Sequence, residues 1–188
     1  MSSHHIVREK QEPALFIVNL DGFEPEDLGQ LLEWSPTLIV LQSLYEQNSL
    51  ADLKIDGIAT PDVNFIAPAN TKLIRIDSSP IRDILNFLVS EGYPAVNILN
   101  NDFDLTDYEE FVNLINIVIY NGNKKIYPIK SGFSKWKPGG EKVELMQNNI
   151  AILAEGLNSL DQQTLITEKD GFVKINFSAD HIFIAEYL

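Results

Sequence analysis

The side chains best suited to chemistry in this sequence are acids. Asp102, Asp104, Asp107, Glu109 and Glu110 share one short stretch, and hard cations such as Mg²⁺ and Ca²⁺ bind where carboxylate oxygens crowd together. The stretch is no EF-hand, which would need Gly in place of Asp107 and a bidentate Glu further on. Acids so spaced also suit the positive end of a helix, their ordinary role in a first turn. Other chemistries find less support. His4, His5 and His181 have no acid or nucleophile at the spacing of a catalytic triad. Cysteine is absent, which excludes thiol catalysis, zinc–thiolate sites and a disulfide framework. Neither G-x-G-x-x-G nor G-x-x-x-x-G-K occurs, so Asp21-Gly22 and Gly139-Gly140 read as turns. Trp34 and Trp136 read as packing residues.

The elements that must position these groups alternate at first. Residues 14–20 form a near-continuous apolar run, as expected of a strand covered on both faces. Pro25 opens a helix with Glu26 and Asp27 in its first turn and Leu28, Leu31 and Leu32 on one face. Further strands are predicted at 37–41, 55–59, 72–76 and 95–99. Ser43 and Glu46 form a capping box for a short helix. Ser79, Pro80 and Gly92 bound the clearest helix, whose apolar face is Ile81, Ile84, Leu85, Leu88 and Val89. Thr106 and Glu109 form a second capping box, opening a helix faced by Tyr108, Phe111, Val112 and Ile115.

From Asn116 the period becomes that of strands. A hairpin over 117–129 turns at Asn121-Gly122-Asn123, and strands follow near 141–146, 150–154, 172–177 and 182–187. The fold class is therefore α/β: a mostly parallel, helix-flanked, Rossmann-like sheet followed by a small antiparallel β-sandwich-like unit. Such a tail is short for an independent sandwich and is expected to lean on the first domain or on a second subunit.

The formal net charge is −13, from 27 acids against 14 bases. That field repels a phosphate backbone, and Lys124-Lys125 and Lys135/Lys137 are isolated basic pairs, so nucleic acid is not an expected partner. No apolar run approaches the ~20 residues of a membrane helix. The first ten residues lack the apolar region of a signal peptide, and a cytoplasmic protein is expected.

Several framework stretches, in order along the chain, carry a further signal. They are Ser2-Ser-His-His-Ile-Val-Arg8 with Gln11-Glu-Pro-Ala-Leu15, Leu28-Gly-Gln-Leu-Leu-Glu-Trp-Ser-Pro36, Lys54-Ile-Asp56, and Asn86-Phe-Leu88 with Gly92-Tyr-Pro-Ala-Val-Asn-Ile98. Lys135-Trp136 and Asp170-Gly-Phe-Val173 complete them. Together they resemble the thiamine pyrophosphokinase family, particularly its Bacteroidetes-type members. The resemblance implies an α/β domain that binds ATP and Mg²⁺. It also implies a C-terminal β-sandwich that helps form a thiamine site across a dimer interface. The reaction it implies transfers a pyrophosphoryl group from ATP to the thiamine hydroxyl, which needs carboxylates holding Mg²⁺ against a triphosphate.

The departures from the family pattern fall on those carboxylates. After Lys54-Ile-Asp56 the family continues into Gly-Asp-x-Asp, whereas this chain reads Thr60-Pro-Asp-Val63 and keeps only Asp62, out of register. Thr-Asp-x-x-Lys becomes Ser79-Pro-Ile-Arg-Asp83, and Arg-x-Asp-His…Asn becomes Leu105-Thr-Asp107-Tyr108 with Asn113 one residue late. The tail's Ser-Asn motif has no counterpart. One lost charge-stabilising donor costs ~3–4 kcal/mol of transition-state stabilisation, and several together cost more, though not additively.

The resemblance divides the chain into a nucleotide-binding-like α/β domain at 1–121 and a shortened β-sandwich domain at 122–188. We expect a catalytically inactive thiamine-pyrophosphokinase-like protein, a homodimer that binds a thiamine-type small molecule or regulates a partner, with no assigned cofactor. The alternative is an active kinase that uses Mg²⁺ and ATP, with a metal site rebuilt from Asp62, Asp77, Asp102 or Asp107 and Asn113 at a motif position. A third possibility is a structural remnant without ligand. An enzyme needs at least two of those carboxylates to converge at the C-terminal ends of the parallel strands, where open α/β sheets bind ligands.

Overall fold

Residues 12–47, 50, 53–77 and 79–188 are described in the computed structural model of the chain. His4, His5, the stretch 2–8 and Gln11 lie outside them. Two units, Met1–Ile117 and Val118–Leu188, each have their own architecture. Together they make a mixed α/β protein with both parallel and antiparallel strands.

In the first unit the apolar runs become short parallel strands: β1 (Ala14–Ile17), β2 (Leu38–Leu41), β3 (Gly57–Thr60), β4 (Lys72–Arg75) and β5 (Ala95–Leu99). Their order is β5-β1-β2-β3-β4. Every residue of β1 and β3 is buried, as continuous apolar runs require. Three α-helices join them: α1 (Pro25–Leu32), α2 (Gln42–Glu46) and α3 (Pro80–Ser90). α3 follows its sequence signals. Ser79 caps it by accepting from the Arg82 N–H, Pro80 takes the first position, and Ile81, Ile84, Leu85 and Leu88 are buried. Gly92 ends it at φ +76°, a conformation that costs a side-chain-bearing residue 1–2 kcal/mol, roughly.

Helical cover is thinner than the predicted flanking. None of the residues of α1 is buried, including Leu28, Leu31 and Leu32. The first capping box does not form, because α2 starts at Gln42 and takes Ser43 inside it; Glu46 instead accepts from Gln42 Nε2 at 2.6 Å. The helix predicted beyond Thr106 is replaced by two 3₁₀ turns, Leu105–Asp107 and Glu109–Phe111. Asp104, not Thr106, is the cap: its Oδ1 accepts from the Thr106 N–H (3.0 Å) and hydroxyl (2.8 Å). That turn drives Tyr108 fully into the core, with Phe111 behind it.

The second unit is antiparallel. Its strands are β6 (Asn116–Asn121), β7 (Lys124–Ile129), β8 (Phe133–Lys137), β9 (Lys142–Leu145), β10 (Ile152–Glu155), β11 (Leu157–Ser159), β12 (Thr164–Thr167), β13 (Gly171–Phe177) and β14 (Ile182–Tyr187). β6 and β7 form the expected hairpin. One sheet runs β11-β12-β9-β14-β7-β6 and the other β10-β13-β8. The two share an apolar core that includes Ile129, Val143, Leu145, Val173, Ile175 and Ile184. The turn at Pro138-Gly139-Gly140 needs its glycine, since a Cβ on Gly139 would sit 3.0 Å from Lys169 Cα. β8, β11 and β12 were not predicted. No helix among the described residues is long and apolar enough to cross a membrane.

Candidate functional site

From β1 the chain winds through β2 and β3 to β4, then returns to the other side of β1 for β5. The strand order therefore reverses between β1 and β5, and a crevice outside the C-terminal ends of the strands is the expected ligand position. Polar residues line this edge because one lies at or just beyond the end of each strand.

Between β1 and β5 the polar residues brace one another. Asn100 is 3% exposed. Its Nδ2 donates to Asp102 O (2.7 Å) and to Tyr108 Oη (3.2 Å), and its Oδ1 accepts from the Asp102 N–H (3.1 Å). Asn19 Nδ2 donates to that same Oδ1 at 3.4 Å, while its own Oδ1 accepts from the Asn101 N–H at 3.2 Å. Tyr108 stacks on Phe103 with ring centroids 5.5 Å apart. Burial pushes the Tyr108 phenol up to about 12, so it stays a neutral strut.

Between β2 and β3 the Thr60 hydroxyl donates to Gln42 Oε1 and accepts from the Asp62 N–H at 2.9 Å. Asp62 Oδ1 in turn accepts from the Asn64 N–H at 2.9 Å, a local turn of a kind Asp favours. Arg75, at the end of β4, reaches across to the carbonyls of Asp62 and Val63.

The predicted acids follow strand ends, and the carboxylates of Asp62 and Asp107 serve local structure. Asp62 and Asp77 are exposed and lie just past β3 and β4; Asp102 is exposed and lies past β5. The Asp77 N–H donates to Asp83 Oδ2 at 2.7 Å, so Asp83 acts as a loop brace there. Asp107 is half-buried and accepts from the Ser79 hydroxyl at 3.1 Å, which ties the first 3₁₀ turn to the start of α3. Asn113 sits in the exposed turn after the second 3₁₀ turn. The Thr106 N–H and hydroxyl hold the Asp104 carboxyl below the usual carboxylate range. Among the described residues no three His, Cys, Asp or Glu side chains gather in a way that would hold a metal ion.

The second unit holds a charged cluster that the sequence did not announce. Lys137 and Glu186 are 3% and 7% exposed and meet at 3.0 Å. Lys137 Nζ also donates to Glu141 Oε2 at 2.8 Å, and Lys135 Nζ donates to both Glu186 oxygens at 2.9 and 2.7 Å. Burial alone would raise the Glu186 carboxyl, but the bonds from Lys135 and Lys137 outweigh it and hold the group below its ordinary value. Lys137 is held above its ordinary value, its bonds to Glu141 and Glu186 outweighing its own burial. Burial and the Glu186 charge push the Tyr127 phenol up. These are saturated ion pairs within the sandwich.

No protein-family model matches the sequence, and no curated protein does. Solved structures do. The chain superposes on thiamine pyrophosphokinase from Bacillus subtilis with a TM-score of 0.61 at 11% identity, covering 94% of this chain and 99% of that one. Thiamin pyrophosphokinase from Candida albicans gives 0.61 at 16% identity, over 94% and 90%. That from Geobacillus thermodenitrificans gives 0.60 at 9%, over 93% and 97%.

The chain has the thiamine pyrophosphokinase fold.

The match spans nearly the whole length of both partners, so the resemblance carried by scattered framework stretches reflects a shared architecture. The divalent cation that the resemblance implies needs several carboxylate oxygens aimed at one point. On this thiamine pyrophosphokinase fold, Asp62 turns back on its own loop and Asp107 on Ser79. Asp77 and Asp102 follow β4 and β5, which are separated by three strands in the order β5-β1-β2-β3-β4. The donor set as arranged does not fit such an ion, and no step is derived through one.

Sequence reasoning missed Asn19, Asn100, Gln42 and Thr60. A signal was available: an amide or hydroxyl sits just beyond or at the end of an apolar strand in each case.

Proposed function

We propose that this is a catalytically inactive thiamine-pyrophosphokinase-like protein, a reduced Rossmann-like unit with a β-sandwich, that acts by binding. The observation that carries the proposal is the way Asp62 and Asp107 are committed to turns and caps at the very edge where a metal–nucleotide complex would sit. A strand edge lined by amides and a hydroxyl suits an uncharged or cationic small molecule better than a triphosphate, which the net charge of −13 disfavours without a bridging ion. The ligand proposed is a thiamine-type molecule, and the protein is proposed to pair with a second copy of itself in the cytoplasm.

A thermal melt tests this. A ligand at 100 times its dissociation constant adds ~2.7 kcal/mol of stability and raises the midpoint visibly. Thiamine or thiamine diphosphate alone should raise it, whereas Mg-ATP should not. A shift with Mg-ATP that is lost in Asp62→Asn would overturn the proposal.

An active thiamine pyrophosphokinase is the second reading. It is favoured by the placement of Asp62, Asp77, Asp102 and Asp107 after the C-terminal ends of parallel strands. Small loop movements on binding Mg-ATP would then have to bring at least two of these carboxylates together.

A further inference from the structure

The first unit also carries an open cleft of about 650 Å³ at the opposite, N-terminal ends of its strands, walled by the end of α1 and the lead-in residues of β1 and β2. Its volume is that of a small-molecule site, roughly 300–1,000 Å³. Three observations define its chemistry. The indole of Trp34 lines it and is 70% exposed, although a tryptophan is normally buried for packing. Two carboxylates, Glu12 and Glu33, line it too, and among the described residues none that lines it is basic. Glu33 is moreover the C-cap of α1, whose last turn has no basic residue. The negative end of a helix normally attracts a cation, so an acid there adds like to like, and α1 itself offers no base in its last turn to offset it.

The presentation of Trp34 is fixed by the backbone. The next residue, Ser35, adopts φ +51°, which is rare for a residue with a side chain, and its N–H donates to Leu32 O at 3.0 Å. Pro36 then locks the exit. Backbone strain of this kind collects at ligand sites.

We propose that this cleft binds a small organic cation of the quaternary-ammonium class, with its alkyl groups against the Trp34 ring and its charge shared by Glu12 and Glu33. An aromatic face with flanking carboxylates is how such cations are recognised, because the ring attracts the charge without hydrating it. The site lies at the far ends of the strands from the edge discussed above and stands whether or not a thiamine compound binds there.

The chain has two tryptophans, so Trp136→Phe leaves Trp34 as the sole indole reporter. Its fluorescence is titrated with choline and with benzyltrimethylammonium, and with 3,3-dimethylbutan-1-ol as the uncharged analogue of choline. The expected result is a saturable change with both cations at a dissociation constant below about 10 mM, and none with the alcohol. Adding Glu12→Gln and Glu33→Gln together should weaken the response about tenfold. Both glutamates are accessible, so the fold should survive, and an unchanged far-ultraviolet spectrum checks this. An unsaturable response, an equal response to the alcohol, or an unchanged affinity in the double-Gln variant would each overturn the proposal.

Discussion

The rim of the parallel strands and the interior of the sandwich use charge in opposite ways. At the rim, Asp62, Asp77 and Asp102 are exposed, and the bonds at these residues join backbone to side chain over a few residues of sequence. In the sandwich, Lys137 and Glu186 are nearly sealed from water and joined across a long sequence separation, with Lys135 and Glu141 completing the set. An exposed acid in a turn is worth little to the fold and is free to change. A buried ion pair is costly to break from one side only, because the remaining charge has no water. The residues with most consequence for stability are therefore not the acids that look most like chemistry.

The largest effect should come from splitting the buried cluster. Glu186→Ala leaves the buried Lys137 with the half-exposed Glu141 alone and removes the partner of Lys135, and is expected to cost about 3–5 kcal/mol in urea unfolding. The double variant Lys137→Met, Glu186→Leu should recover much of that loss, since a packed apolar pair is often no worse than a buried ion pair. A double variant as unstable as the single would contradict the burial argument.

Acid should act on the same group. The folded Glu186 carboxyl lies below its ordinary value of 4.5, so its contribution is complete above that pH and fades as pH falls through the folded value. Lys137 behaves in the opposite sense: its contribution is complete below its ordinary value of 10.5 and is lost as pH rises through the higher folded one. Melts of the Lys137→Met, Glu186→Leu variant between pH 3 and 5, roughly, should therefore be flatter than those of the parent.

At the rim the effects should shrink. Asn100→Ala removes the buried hub of Asn19, Asp102 and Tyr108 and should cost about 1–3 kcal/mol. Ser79→Ala loses the α3 cap and the tie to Asp107, about 1 kcal/mol. Smallest of all, Asp62→Asn and Asp77→Asn should fall within about 0.5 kcal/mol and leave any thiamine-induced rise in the melt unchanged.

The pattern of what sequence could reveal follows the same divide. α3 was legible because Ser79, Pro80 and Gly92 mark its ends and its apolar face repeats at helical spacing. β1 was legible as a continuous apolar run. β8 was not, because its alternation is inverted: Lys137 is buried against Glu186, the exposed Lys135 reaches back to the same carboxylate, and Trp136 points out at 52% exposure. An inward lysine on a strand at the sheet's edge is a known guard against edge-to-edge association. It also hides a strand from any rule that puts apolar residues inside; Trp136 and Trp34, expected to be packing residues, are both exposed. β11 and β12 are simply too short to show a period. At 105–111 the competing Asp104 turn won over the capping box, a choice decided by the burial of Tyr108. The fold was carried by framework positions distributed along the chain, whereas the rim depends on where four acids point, which no spacing encodes.

The proposal most exposed to test is that this chain, with its thiamine pyrophosphokinase fold, does not transfer pyrophosphate. The direct measurement is thiamine diphosphate formed by the purified protein from thiamine and Mg-ATP, followed over many hours against a protein-free blank. We predict formation indistinguishable from the blank, in a preparation whose melt is raised by thiamine. Turnover above the blank that disappears in Asp62→Asn or Asp77→Asn would contradict the account and place a working metal site at the strand ends.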